Sequence, residues 1–164
     1  MRKLLVIAGT ALLLTACSST QESAIDVYGD TNGGWNESVN IMDLQPTSLT
    51  AALKETGNDV VYFSFNSYSL DADAKAELAA QAEWLKENPK ALIVIEGRCD
   101  ERGTREYNLA LGDRRANAAR SYLMTLGVAA NRIRTISYGK DKPIALGSDE
   151  EAWAKNRSAT TVAY

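Results

Sequence analysis

Residues 97–126 read GRCDERGTREYNLALGDRRANAARSYLMTL and contain the densest charge in the chain, with six arginines and four acids between Gly97 and Arg120. The segment predicts the end of a strand, a polar loop and a long helix from Glu106 to Leu126, which Gly127 terminates. Loops that follow strands often carry functional groups. We therefore expect the functional site here, against the simpler alternative of a solvated loop whose charges neutralise one another.

The phase of the predicted helix separates Arg115 from the neighbouring arginines. At about 100° per residue, Arg115 lies roughly 40° from Leu111, in the middle of an apolar stripe that continues to Leu126, whereas Arg114 points elsewhere. A buried arginine requires an anionic partner, supplied by the protein or by a ligand. Asp100, in the preceding loop, is the candidate partner, and the pair is structural, ligand-binding or both.

The sequence on either side of this segment predicts the rest of a small domain. Four runs rich in β-branched and aromatic residues predict strands, and three segments with capping residues predict helices. The predicted strands are Val60–Phe65, Ala91–Glu96, Ile133–Tyr138 and Ser158–Ala163; the helices run from the Asp71 cap to Asn88, from Glu106 to Leu126, and from a Ser148 and Glu151 capping box to Asn156. This order predicts an α+β fold, a two-layer sandwich with a mixed four-stranded sheet and two long helices on one face.

The first sixteen residues have the features of a secretory signal peptide. Arg2 and Lys3 precede the apolar run Leu4 to Leu14, which is far shorter than the ~20 residues that span a membrane. Leu14-Thr15-Ala16-Cys17 resembles a bacterial lipobox, which predicts lipidation of Cys17. The alternative is an ordinary signal peptide followed by an incidental cysteine. Ser18, by resemblance to enteric sorting signals, favours the outer membrane over the inner one.

The remaining chain divides into a tether and a domain. Residues 17–57 are rich in Ser, Thr, Asn, Gly and Asp, and we expect a lipidated cysteine followed by a flexible periplasmic tether, with room for a short helix within Pro46 to Glu55. Residues 58–164 are long enough to bury one core. The net charge of −3, or −5 without the first sixteen residues, disfavours nucleic-acid binding.

The absence of histidine excludes several kinds of catalytic and metal site. The 164 residues contain no His and two Cys, so histidine-based triads, histidine-ligated zinc and an imidazole acid or base are excluded. The sequence predicts no catalytic residue, metal or cofactor. If Cys17 is lipidated, Cys99 has no intramolecular disulfide partner, and we expect it to be buried.

The charged segment resembles a known family. The run from Gly97 to Asn108, continuing from Leu111 to Ala118, is similar to the OmpA C-terminal-like domain family, and the resemblance extends over about residues 58–164 through YFSF at 62–65, SYGKDKP at 137–143 and Asn156-Arg157. The elements DERGT at 100–104 and EYN at 106–108 are typical of the peptidoglycan-associated lipoproteins within that family.

The resemblance implies a ligand and the residues that bind it. In the family, an Asp and an Arg fifteen residues later hold the diaminopimelate side chain of the peptidoglycan stem peptide, and the matching positions are Asp100 and Arg115. That side chain ends in an ammonium and a carboxylate on one carbon, which a carboxylate and a guanidinium can bind together. The resemblance adds Asn108 to this site and places further residues along the groove: Arg102, Thr104, Phe65, Asn66, Ser67 and Tyr68.

The resemblance also implies a non-enzymatic outer-membrane lipoprotein that faces the periplasm. Its partners would be peptidoglycan, the outer membrane, TolB and other Tol proteins, and its role would be envelope integrity and cell division in the Tol–Pal system. One alternative is a glycosidase that cuts peptidoglycan with Glu96 and Asp100; another is a scaffold of outer-membrane assembly machinery. Arg98 departs from the family pattern, which often has His there, and it either competes for Asp100 or extends into solvent.

Overall fold

The computed structural model describes residues 47–164, so the predicted signal peptide, Cys17 and the predicted tether up to residue 46 lie outside the described residues. The described part contains four α-helices and four strands. In chain order these are α1 (Ser48–Glu55), β1 (Val60–Tyr62), α2 (Ala72–Glu87), β2 (Ile93–Arg98), α3 (Arg105–Thr125), β3 (Ile133–Gly139), α4 (Glu150–Asn156) and β4 (Ser158–Ala163), with a single turn of 3₁₀ helix at Ala130–Arg132 before β3.

The strands form one mixed sheet in the order β1-β4-β2-β3. β4 pairs antiparallel with both β1 and β2, whereas β2 and β3 are parallel. The helices α2 and α3 pack on one face of the sheet, and the core between the layers contains Leu78, Leu85, Ile95 and Leu123. The predicted α+β two-layer sandwich is confirmed.

Residue alternation along β2 explains which face each side chain occupies. Ile93 and Ile95 are fully buried in the core under the helices, and Val94 between them therefore points to the opposite face. Gly97 continues the helix-facing series at the point where α3 crosses the strand. A Cβ on Gly97 would overlap the backbone carbonyl of Gly112 in α3. The two glycines thus allow α3 to lie against β2, directly beside the loop that holds Asp100.

The folded part of the chain begins earlier than residue 58. Helix α1 packs against the end of β4, where the Thr50 hydroxyl donates to the Ala163 carbonyl and accepts a hydrogen bond of 3.2 Å from the Ala163 amide. Leu53 is fully buried. The short helix for which the sequence left room within Pro46 to Glu55 is confirmed as α1. The prediction that a flexible tether continues to residue 57 is wrong, because this helix packs on the domain and buries Leu53.

Several predicted ends shift by a few residues. The first strand ends at Tyr62 rather than Phe65, and the second includes Arg98, two residues beyond the predicted end. The N-cap of α4 is Asp149 rather than Ser148, because the Asp149 carboxylate accepts from the Ala152 amide at 2.8 Å. Within residues 47–164, no helix combines the length and the apolarity that crossing a bilayer requires.

Candidate functional site

A cavity of about 540 Å³ opens where β2 ends, between the start of α3 and the loop that joins β1 to α2. The structure brings seven of the predicted site residues to its wall, from two segments that are distant in sequence. The complete lining is Phe65, Asn66, Cys99, Asp100, Arg102, Gly103, Thr104, Tyr107, Asn108, Leu111 and Arg115.

Arg115 is buried, as its helical phase predicted, with 1% of its surface exposed. Its guanidinium donates to three backbone carbonyls: Nε to Ser67 at 2.8 Å, Nη1 to Arg98 at 2.8 Å and Nη2 to Ser64 at 3.2 Å. Within the protein, its partners are carbonyl oxygens from β2 and the β1–α2 loop rather than the carboxylate of Asp100; an anion supplied by a ligand stays a prediction. Burial lowers the pKa of Arg115, while the charge of Asp100 acts in the opposite direction.

Asp100 is 4% exposed and bonds to a different arginine. Its Oδ1 accepts from the amide and Nε of Arg102, both at 3.2 Å, and its Oδ2 lies 2.6 Å from Arg102 Nη2. Arg157 Nη1 is 3.6 Å from the same Oδ2. Burial alone would raise the pKa of Asp100, but the bonds from Arg102 and the charges of Arg102 and Arg157 outweigh it, so the pKa lies below its ordinary value.

Arg102 is held between two aromatic rings over this carboxylate. Its guanidinium carbon lies 4.1 Å from the centroid of Phe65 and 4.2 Å from that of Trp153 in α4. The indole Nε1 of Trp153 donates to Glu101 Oε1 at 3.1 Å. Residues Glu101 and Arg102 of the charged loop therefore both contact Trp153 of α4, about fifty residues further along the chain.

Asn108 and Thr104 position the loop against α3. Asn108 is buried, and its Nδ2 donates to the Arg102 carbonyl at 2.8 Å. The Thr104 hydroxyl caps α3 by accepting from the Tyr107 amide at 3.2 Å. These contacts fix the backbone between Arg102 and the start of α3.

The β1–α2 loop contributes less of the cavity wall than predicted. Phe65 and Asn66 line the cavity, and the Asn66 side chain accepts a hydrogen bond from the Tyr107 hydroxyl. Ser67 and Tyr68 are not among the lining residues: Ser67 offers its carbonyl to Arg115, and the Tyr68 ring lies 5.9 Å from the exposed Arg114 guanidinium. Their backbone and position support the site rather than forming its surface.

Cys99 is a buried thiol directly behind Asp100, as expected. Its Sγ lies 3.3 Å from the Asn108 carbonyl. Burial raises the pKa of the Cys99 thiol to about 11, and the negative charge of Asp100 contributes to the rise, whereas Arg115 opposes it. The group is therefore protonated at neutral pH and is a poor nucleophile.

Arg98 lies on the opposite face of the sheet, because Gly97 beside it in the strand faces α3. Its Nη2 forms an ion pair with Glu96, Nη1 donates to Thr160 Oγ1 at 3.0 Å, and Nε donates to the Lys142 carbonyl at 3.1 Å. Both expectations for Arg98 were wrong: it neither competes for Asp100 nor extends into solvent. Alternation from Gly97 cannot be extended to Asp100, because the register shifts between Gly97 and Arg98 and the strand ends at Arg98.

The same geometry separates the two carboxylates of the glycosidase alternative. Glu96 is engaged by Arg98 and by the Tyr138 hydroxyl, at 3.3 Å, and is not among the residues that line the cavity. Asp100 lines the cavity on the helix side. The two groups therefore do not flank one substrate.

Sequence reasoning assigned no role to Arg157, Tyr107 or Trp153. Arg157 is buried, donates from Nε to the Phe63 carbonyl at 3.0 Å and pairs with Glu150 through Nη2 at 2.9 Å. The Asn156-Arg157 pair was visible as a motif, but only the fold brings it to Asp100. Tyr107 was visible only as part of the EYN element at 106–108, and nothing in the local sequence distinguishes Trp153 from other helical aromatics. Within residues 47–164, no cluster of three or more Cys, Asp or Glu side chains is arranged to hold a metal ion.

Comparison with known proteins gives one consistent family. The model of the OmpA family matches residues 62–157. A peptidoglycan-associated lipoprotein of Pasteurella multocida is 40% identical over 157 residues, which cover 96% of this chain and 94% of the relative. One of Rhizobium meliloti is 57% identical over 104 residues, or 63% of this chain; the match spans only about three fifths of that relative, 59% of its length.

Solved structures agree with the sequence comparison. The crystal structure of the peptidoglycan-associated lipoprotein from Burkholderia pseudomallei is similar at 49% identity and a TM-score of 0.63, covering 65% of this chain and 90% of that one. The C-terminal domain of Helicobacter pylori MotB, at 24% identity, 63% and 84% coverage and a TM-score of 0.58, shares the fold.

Proposed function

The chain belongs to the OmpA family and, within it, to the peptidoglycan-associated lipoproteins, and from this membership we propose that it binds peptidoglycan without cleaving it. The ligand group is the side-chain end of diaminopimelate in the stem peptide. The observation that carries the proposal is that Asp100 and Arg115, fifteen residues apart, line the same cavity with opposite charges.

The chemistry of the two side chains suits a zwitterion. A guanidinium has five N–H donors, and three of those of Arg115 are used by backbone carbonyls, which leaves two for a ligand carboxylate. Those carbonyl bonds also fix the plane of the guanidinium before a ligand enters, so little side-chain entropy remains to be lost. Asp100, an acceptor on the same wall, would receive the ammonium group.

The remaining predicted site residues have supporting roles in this proposal. Asn108 and Thr104 hold the loop backbone, Phe65 and Asn66 form the rim, and Ser67 orients Arg115 through its carbonyl. Tyr68 lies further out, beside Arg114. Arg102 bonds to both carboxylate oxygens of Asp100.

The wider role follows from family membership and from the N-terminal sequence. We propose a lipid anchor on Cys17, an outer-membrane location with the domain in the periplasm, and a tethering role in the Tol–Pal system with TolB and other Tol proteins as partners, serving envelope integrity and cell division. Binding to the cell wall by a lipid-anchored domain would join the outer membrane to the cell wall mechanically. Several acyl chains on one residue anchor a protein stably in the membrane.

Co-sedimentation of the purified full chain with cell-wall sacculi tests the wall-binding proposal. Asp100→Asn and Arg115→Lys should each weaken binding at least tenfold, because one ligand charge then lacks its partner. The control is Arg114→Ala, which removes an exposed arginine next to Arg115 and should change binding by less than twofold. Melting temperatures of all variants separate loss of binding from loss of folding.

Equal losses at Arg114 and Arg115 in folded proteins would contradict the proposal. Assaying the supernatant for soluble muropeptides tests the absence of cleavage, since steady release by the wild type would favour the glycosidase alternative. The anchor is tested separately: Cys17→Ala should abolish incorporation of labelled palmitate and association with the membrane fraction, and continued labelling would contradict lipidation at this residue.

A further inference from the structure

The contacts of Arg102 suggest that it does more than line the cavity. Both oxygens of Asp100 already accept hydrogen bonds from its side chain, Oδ1 from Nε at 3.2 Å and Oδ2 from Nη2 at 2.6 Å. A guanidinium in that position occupies the same acceptor atoms that a ligand ammonium would require. Asp100 is 4% exposed, so it has little free surface on which to accept a second cation.

We propose that Arg102 is a displaceable latch that occupies the ammonium subsite at Asp100 and must leave it before a ligand ammonium can bind. This inference rests on the proposed function and specifies the step by which that site admits its ligand. It assigns to Arg102 a competitive role, opposite in sign to that of a residue that merely adds contacts to the ligand.

The position of Arg102 is held by two aromatic rings, of which only Phe65 lines the cavity. The rings of Phe65 and Trp153 lie on the guanidinium, at 4.1 and 4.2 Å, and the indole of Trp153 is itself bonded to Glu101. Trp153 belongs to α4 and is not among the lining residues. A residue outside the ligand's reach therefore sets how firmly the latch is closed.

Opening the latch is feasible because its two partners differ in exposure. The Arg102 side chain is 33% exposed and can move into solvent, whereas the Asp100 side chain is 5% exposed and stays in place. Arg157 Nη1, 3.6 Å from Asp100 and without a hydrogen-bond partner among the described residues, remains beside the carboxylate when Arg102 leaves. The positive charge of Arg157 then partly balances the negative charge of Asp100 until the ligand arrives, which limits the free-energy cost of moving Arg102 away.

The latch also makes the site selective. A ligand must supply a cation strong enough to replace a bidentate, aromatic-stacked guanidinium, and a neutral amide or hydroxyl at the same place cannot do so. The adjacent Arg115 favours a carboxylate on the same ligand. Asp100, guarded by Arg102, and Arg115 therefore together favour a zwitterionic end group over a singly charged one.

Calorimetric titration with the tripeptide L-Ala-γ-D-Glu-meso-diaminopimelate tests the inference on the purified full chain in detergent. Arg102→Gln should bind the tripeptide about fivefold to tenfold more tightly than wild type, because the fraction of protein with Asp100 accessible rises. Trp153→Leu should bind about twofold to threefold more tightly, since it loosens the latch without touching the cavity.

Arg105→Gln is the matched control. It removes the same charge three residues further on, from an exposed pair with Asp141 that lies outside the lining, and it should leave affinity within a factor of two. Equal or weaker binding by Arg102→Gln, while the wild type binds, would overturn the latch and leave the proposed function standing. Absence of binding by the wild type would instead overturn the proposed function.

A second measurement uses only the wild type and so does not depend on whether a variant folds. The arginine Nε–H resonances are followed by ¹⁵N NMR as tripeptide is added. At saturation the Arg102 Nε–H resonance should shift and its proton should exchange with water faster. The Nε–H of Arg115 should remain protected by its hydrogen bond to the Ser67 carbonyl. An Arg102 resonance that does not move at saturation would show that the guanidinium stays on Asp100 and would overturn the proposal.

Discussion

Arg115 and Arg132 both donate hydrogen bonds from their guanidinium groups to three backbone carbonyls, at opposite ends of the sheet face that the helices cover. Arg132, just before β3, donates to the carbonyls of Leu85, Asn88 and Ala91 at 2.8 to 3.1 Å, and burial lowers its pKa, as it does that of Arg115. The two regions differ in what lies next to the guanidinium. Arg115 shares a cavity wall with Asp100, whereas Arg132 binds carbonyls at and just beyond the C-terminal end of α2.

The comparison teaches that a buried arginine does not by itself indicate a ligand. Carbonyls at the end of a helix lack intrahelical partners, and a cation placed there both satisfies them and interacts favourably with the helix dipole. Arg132 fits that structural role completely. For Arg115, the nearby carboxylate and the cavity are the features that distinguish a site from a structural contact.

Replacing each of these two arginines with alanine is the strongest way to test the comparison. Both variants should lose about 3 kcal/mol or more of unfolding free energy, because three buried carbonyls lose their donor. Only Arg115→Ala should also lose sacculus binding under conditions where the variant remains folded, with Arg132→Ala within about twofold of wild type. Urea denaturation and co-sedimentation measure the two effects, and equal binding loss at Arg132 would break the distinction.

The contact between α3 and β2 predicts the next largest effect. A Cβ on Gly112 would overlap the Ser137 hydroxyl and crowd the Gly97 carbonyl, so Gly112→Ala should destabilise by about 2 kcal/mol or more and also weaken ligand binding, since it moves Arg115. Gly127→Ala is the control at the other end of α3. The φ of 96° at Gly127 strains an alanine, but an added Cβ would meet no atom within 4 Å apart from those of its chain neighbours. It should destabilise by about 1 kcal/mol and leave binding of the folded protein unchanged.

The ionisation of Asp100 predicts a smaller effect that depends on pH. Its pKa is lower in the folded protein than its ordinary value of about 4, so the stabilisation it provides is complete above that value and is lost as the pH falls through the folded-state pKa. Asp100→Asn should therefore lose less stability than wild type between pH 5 and pH 2. Melting temperatures across this range test the effect, and parallel curves for the two proteins would contradict it.

The smallest effect is expected on the other face of the sheet. Arg98→His breaks the ion pair with Glu96 and the bond to Thr160, but it removes nothing from the cavity wall. Tripeptide affinity should change by less than twofold at both low and high salt. A tenfold gain, about 1.4 kcal/mol, would mean that Arg98 reaches Asp100 in solution, and the assignment of the two faces would then be wrong.

The sequence predicted the fold closely because its elements are strongly patterned. The apolar run of β2, the Asp71 cap and the apolar stripe of α3 each act over a few neighbouring residues, and the burial of Arg115 followed from the same periodicity. Resemblance to a family supplied the cavity residues, seven of which the fold brings together.

What the sequence could not give depends on contacts between distant segments. The carbonyl partners of Arg115 come from Ser64, Ser67 and Arg98, and backbone groups leave no trace in residue identity. The Trp153 contact with Arg102 spans two elements that are adjacent only in the fold. The sequence left room for helix α1 within Pro46 to Glu55 but did not reveal that it belongs to the domain, because only its packing against β4 makes it so.

A crystal structure of the full chain with the meso-diaminopimelate tripeptide tests the central claim most directly. The claim predicts the side-chain ammonium within about 3 Å of an Asp100 oxygen and the adjacent carboxylate within about 3 Å of the Arg115 guanidinium. It also predicts that Arg102 has left Asp100. A diaminopimelate side chain bound outside this cavity, or bound with its ammonium away from Asp100, would contradict the claim.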